Sequence, residues 1–161
     1  MGLSTESSKA LSKILASSTK ITRIDLSDNN IGNTGMKYIT QGLVRNNNII
    51  SLNVSSNNIT HEGSNYLFFH VKFHASLVDI NISNNDKLRK NKISSKGCIE
   101  LMNLLTYNKV MSFIDVSDNS IGAEGLNYII SGLDKNSSII GLNLSNNELP
   151  TNCIQNMSNI I

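Results

Sequence analysis

Three histidines, two cysteines and a scatter of aspartates are the side chains of this 161-residue chain whose types and spacing could do chemistry. His70 and His74 stand four apart, which puts two imidazoles on one helix face, and His61 is nearby. That is half of a zinc site, but no third or fourth ligand follows at matching spacing, so no metal is expected. Cys98 and Cys153 lie 55 residues apart, too far in a regular fold to meet the ~7 Å limit for bridging. Neither has a histidine close enough in the chain to act as its base, so both are read as buried thiols. There is no phosphate loop, dinucleotide fingerprint or Ser/His/Asp order. No catalytic residue and no cofactor is therefore expected, and binding rather than catalysis is the reading to pursue.

Composition narrows what could be bound. Fourteen basic against twelve acidic side chains leave a net charge of +2, which argues for neither nucleic acid nor an anionic membrane as partner. Twenty-five Asn and 23 Ser supply a neutral, amide-rich surface, while 48 Leu, Ile, Val and Phe are enough for a core. No apolar run reaches the ~18 residues that span a bilayer. The start, MGLSTESSKALSKILASS, has no apolar signal core, and Glu6 spoils a myristoylation pattern. With two cysteines, a reducing, cytoplasmic setting is expected.

The elements that must position these side chains repeat. The chain reads ITRIDLSDNNI from Ile21, IISLNVSSNNI from Ile49, LVDINISNNDK from Leu77, MSFIDVSDNSI from Met111 and IIGLNLSNNEL from Ile139. The fourth and sixth places are always aliphatic with a polar residue between, the alternation of a short half-buried strand. The second half of each unit changes period: Met36, Ile39 and Leu43, then Leu67 and Val71, then Leu101 and Leu105, then Leu126, Ile129 and Leu133 recur three to four apart, a helical stripe. Asn46, His74, Asn108 and Asn136 close these helices. One strand and one helix cannot bury both apolar faces alone, so the units must stack, with the strands forming one parallel sheet. At the ninth place stand Asn29, Asn57, Asn85, Asn119 and Asn147. An amide both donates and accepts, so this column is expected to satisfy the backbone where strand turns to helix.

The stretch ITRIDLSDNNIGNTGMKYITQGLVRNN resembles a leucine-rich repeat of the ribonuclease-inhibitor type, and the resemblance covers residues 21–161, with 7–20 fitting the helical half of a preceding unit. It implies an α/β right-handed horseshoe solenoid in a single domain, strands on the concave side, helices on the convex side, and another protein as partner. In outline the array is also similar to the carboxy-terminal domain of the tropomodulins, which implies actin-filament regulation. A third likeness, to GTPase-activating proteins of the Ran type, would give a role to Arg89 on a rim loop.

The strand residues between the aliphatics must face the hollow. The third column is Arg23, Ser51, Asp79, Phe113 and Gly141; the fifth is Asp25, Asn53, Asn81, Asp115 and Asn143; the eighth includes Asp28 and Asp118. An acidic, amide-rich hollow with Phe113 as anchor is expected to bind a basic or amide-rich segment. Two units depart from the pattern. The third is longer by six residues, placed within 86–91, where Lys87, Arg89, Lys90 and Lys92 make a basic rim insertion and candidate partner contact. The last, after Pro150, runs TNCIQNMSNII with no polar cap, so its apolar end is a candidate for self-association.

Overall fold

A computed structural model describes residues 3–85 and 88–150 of the chain. Lys87 of the rim insertion and the segment 151–161, on which the self-association expectation rests, lie outside the described residues. Strands and helices alternate throughout: α1 (Thr5–Ser17), β1 (Arg23–Asp25), α2 (Gly32–Leu43), β2 (Ser51–Asn53), α3 (His61–Val71), β3 (Asp79–Asn81), α4 (Ser94–Tyr107), β4 (Phe113–Asp115), α5 (Gly122–Leu133) and β5 (Gly141–Asn143). The five strands form one parallel sheet in chain order, and Ile24, Leu52, Ile80, Ile114 and Leu142 pair as successive rungs. Helices α2 to α5 are the crossovers that the parallel connections require.

The core is the slab between the inward side of the sheet and the apolar helix stripes. Ile24, Leu52, Ile80 and Ile114 are buried on the strand side; Met36, Ile39, Leu43, Leu67, Val71, Leu101, Leu105, Leu126 and Ile129 are buried on the helix side. Helix α1 starts at Thr5, capped by Ser4, two residues before the expected 7–20 half unit. Leu3 belongs to it too: its amide donates to Asn29 Oδ1 at 2.8 Å, as Ile31 does to Asn57 and Ile93 to Asn119. Helices α2, α4 and α5 lack a side-chain cap. Instead Gly32, Ser94 and Gly122 donate their amides to the backbone carbonyls of Asn57, Asn119 and Asn147 in the next unit, at 2.9–3.0 Å. Each unit thus supplies part of its neighbour's helix start, which is why a single unit has no reason to fold alone.

Two amide columns tie the units together. In the first, Asn119 Nδ2 donates to the carbonyls of Ile82, Val116 and Ser117, while its Oδ1 accepts from Ile93 N. Asn57 and Asn147 make the equivalent bonds. The third rung corrects the sequence reading: it is Asn91, not Asn85. Asn91 is 2 % exposed, accepts from the amides of Asn57 and Ile59 at 3.0 and 2.9 Å, and donates to the carbonyls of Val54, Ile82 and Ser83. Asn85 is exposed, and among the described residues its side chain reaches Ser55 Oγ, at 3.4 Å. The extra residues therefore precede the rung rather than follow it. The second column lies at the opposite turn, where helix returns to strand. Asn46, Asn108 and Asn136 each donate to two carbonyls of the preceding unit and accept from two amides just ahead of them. His74 stands in for the amide: Nδ1 accepts from Ser76 N and Leu77 N, which leaves Nε2 to donate to Leu43 O at 3.1 Å.

Candidate functional site on the open face of the sheet

The three residues of each strand alternate out, in, out, so the third and fifth columns line the open face as their spacing requires. Two adjoining depressions occupy it, of about 460 and 490 Å³. Asp79 and Asp115 line both. On one side lie Phe113, Gly141 and Asn143; on the other Arg23, Asp25, Ser51, Asn53 and Asn81. Three carboxylates thus face one guanidinium. The Phe113 ring is 49 % exposed and lies over Gly141, where an added Cβ would come within 2.7 Å of Phe113 Cδ1. Glycine in β5 is what leaves room for the ring there.

Hydrogen bonds give every side chain of the fifth column a structural oxygen. Asp25, Asn53, Asn81, Asp115 and Asn143 each use Oδ1 to accept from the amide two residues on, that of Ser27, Ser55, Ser83, Ser117 or Ser145, at 2.9–3.1 Å. This Asx turn ends every strand, and it needs an acceptor oxygen, which Asp and Asn supply equally. The Ser27 amide and hydroxyl, with help from Asn53, hold the Asp25 carboxyl below the usual carboxylate range, against a smaller opposing effect of burial. Across the strands, Asp115 Oδ2 accepts from Asn143 Nδ2 at 3.0 Å, and Asp79 Oδ2 accepts from Ser51 Oγ at 2.9 Å. The carboxylates are held in place with one side turned to the open face, an arrangement suited to meeting cations rather than to proton transfer.

The eighth column has a backbone cause. Asp28, Ser56, Asp118 and Asn146 adopt φ of 52–56°, the left-handed region in which Asp and Asn are enriched among residues with a Cβ. Their side chains stand at the strand-to-helix rim, not beside Asp79 or Phe113. The rim insertion reaches back over them. Arg89 Nη1 donates to the Asp28 carbonyl, Arg89 O accepts from Asn58 N at 3.2 Å, and Lys90 Nζ pairs with Asp118 at 2.9 Å. The guanidinium and one ammonium of the insertion are thus engaged within the chain; Lys92 is exposed.

The titratable side chains that opened the sequence reading are dispersed. His70 is exposed with Nδ1 on Tyr66 O, while His74 belongs to the helix-to-strand column. Cys98 is buried, its thiol pushed up to about 12 by desolvation and by Glu124.

An alternating strand and helix, one parallel sheet and an asparagine in every strand exit define a repeat solenoid. Three stretches, residues 17–39, 45–63 and 107–129, match the model of the Leucine Rich repeat. Those stretches carry leucine-rich repeats, and the fold is that of a leucine-rich-repeat solenoid. Among curated proteins none matches it. Among solved structures it is similar to "Leiomodin-1 Actin-Binding Site 2 (ABS2)", with a TM-score of 0.78 and 14% identity over 95% of this chain and 84% of that one. At that identity the likeness is one of fold.

Proposed function

We propose that the chain is a non-catalytic protein-interaction module whose open sheet face receives a basic segment of a partner protein. The observation that supports this is the joining of Asp79 and Asp115 to both depressions beside the Phe113 ring. A lysine or arginine lying across Asp79 and Asp115 meets two carboxylates, and its aliphatic stem or its cation meets the ring. The lattice is preorganised, because the strand-ending turns and the cross-strand bonds already fix the carboxylates, so binding orders few further side chains. The rim, with Arg89 and Lys90 engaged and Lys92 exposed, has a supporting part. The test is capture of a partner from a lysate of the source cell by the wild-type chain and by the Asp79→Lys, Phe113→Ala double variant. Loss of the captured protein is expected; retention removes the open face as the site used.

A second reading, that the partner is actin, is favoured by the similarity to a structure whose title names an actin-binding site. Co-sedimentation with filamentous actin tests it, the same double variant showing whether the open face is involved.

A further inference from the structure

Comparing each surface position with its counterparts in the other units separates residues that the fold requires from those it does not. The place just before each helix-closing Asn or His holds Arg45, Phe73, Tyr107 and Lys135. The place of Val110 holds Asn48, Ser76 and Ser138 in the others, and that of Phe69 holds Gln41, Asn103 and Ser131. The solenoid plainly tolerates polar residues at all three. Yet four of the six such places in the two middle units are apolar, and the aromatics among them are exposed: Phe73 to 73 %, Tyr107 to 53 % and Phe69 to 48 %. They also cluster. The Phe73 and Tyr107 ring centroids are 6.0 Å apart, and with Ala75 and Val110 they line a groove of about 220 Å³ at the ends of α3 and α4. Exposed aromatics at adjoining places where core packing asks for nothing apolar mark a binding surface.

Charge identifies the occupant. Lys72 and Lys109 border the groove, and no Asp or Glu lines it. The Lys72 ammonium sits 3.9 Å above the Phe69 ring and 5.6 Å from that of Phe73. Among the described residues the ion pair recorded is Lys90 with Asp118, so neither Lys72 nor Lys109 is neutralised by a carboxylate there. Helix ends ordinarily present carbonyls that repel anions. Here those of Val71, Leu104, Leu105 and Thr106 are already taken, by His74 N and Asn108 Nδ2, Asn108 N, Asn136 Nδ2 and Lys109 Nζ. Two ammoniums are too few for a nucleic-acid track, where about 6–10 phosphate contacts carry the affinity.

We infer that this groove is a docking site for an acidic peptide segment of a partner protein, one that places an apolar side chain between Phe73 and Tyr107 and carboxylates on Lys72 and Lys109. It shares no residue with the open face of the sheet and is independent of the function proposed there. Selection of random dodecapeptides displayed on phage against the immobilised full chain tests it. Peptides with an aromatic or Leu residue flanked by Asp or Glu are expected. Their retention falls by about tenfold or more on Phe73→Ser with Val110→Ser, and likewise on Lys72→Glu alone, while Asp79→Lys with Phe113→Ala leaves it unchanged. The second residue of the first pair is one that other units carry, and Lys72→Glu keeps every aromatic, so a folding failure in one variant leaves the other readable by circular dichroism. Failure to enrich acidic peptides, retention of such peptides indifferent to these variants, or capture of phosphatidylserine vesicles with no acidic-peptide enrichment would each overturn the inference.

Discussion

Replacing Asn91 by alanine, with Asn85→Ala as its partner experiment, tests the account of how the lengthened unit joins the solenoid. Asn91→Ala removes the acceptor for two buried amides, those of Asn57 and Ile59, and the donor for the Val54 carbonyl, while the Ser83 carbonyl keeps its bond from Ser56 N. The Ile82 carbonyl keeps its bond from Asn119 Nδ2. At about 1–3 kcal/mol per stranded buried group, the two amides alone come to about 2–6 kcal/mol, and water entering the vacated space brings the expected loss to roughly 3 kcal/mol. Against a total of about 5–15 kcal/mol that is a large fraction. For a chain of this size it lowers Tm by roughly 10 °C. Asn85→Ala removes one long bond from an exposed side chain and should stay within about 0.5 kcal/mol. The chain has no Trp, so urea and thermal unfolding are best followed by far-UV circular dichroism. Equal losses from the two variants, or a larger loss from Asn85→Ala, would refute the assignment of the third rung.

Other expectations follow from the same bonds. His74→Asn should leave stability within about 1 kcal/mol, since an amide occupies that place in three other units, whereas His74→Ala strands Ser76 N and Leu77 N and should cost about 2 kcal/mol by urea titration. In a Cys153→Ser background, Cys98 should react with a chromogenic disulfide at pH 8 only as fast as the chain opens, because its raised thiol stays protonated; immediate stoichiometric reaction would contradict its burial. Asp25→Asn keeps the turn acceptor but not the charge that strengthens it, so at neutral pH it should be slightly less stable than the wild type by urea titration. The wild type should gain relative to it above the unfolded carboxyl value near 3.8, and that difference should vanish as pH falls through the lowered native value. Gly42→Ala would put a Cβ 2.6 Å from the Ser12 carbonyl oxygen, backbone against which α2 packs, and should cost about 1–3 kcal/mol in thermal unfolding.

The strand rungs were legible because the alternation of aliphatic and polar residues states which side of a strand is buried, and five copies gave the stacking order. Counting forward from the strand reaches Asn85, because this unit is of unusual length. Counted back from the helix it resolves: Asn91 stands two before Ile93, as Asn29 does before Ile31 and Asn119 before Ile121. The fifth column was read as binding surface alone. Its second duty was written in the Ser two places after each Asp or Asn, but that only becomes a turn once the strand is known to end there. The aromatic groove is written not in the residues that close the helices but in the ones before them. Lining up Arg45, Phe73, Tyr107 and Lys135 exposes it. The tie from Arg89 to Asp28 was beyond sequence, since it joins residues 61 apart through a loop whose path no periodicity describes.

That tie changes how the chain should come apart. Stacked units ordinarily feel only the one on either side, so each end can fray without the middle noticing. Here the loop of the third unit grips the backbone of the first through Arg89 and the rim of the fourth through Lys90. Those contacts bracket four consecutive strands, and the first unit cannot peel away without disturbing the third. The first unit is thereby coupled to the third beyond its nearest neighbour, so Arg89→Ala should speed amide exchange in β1.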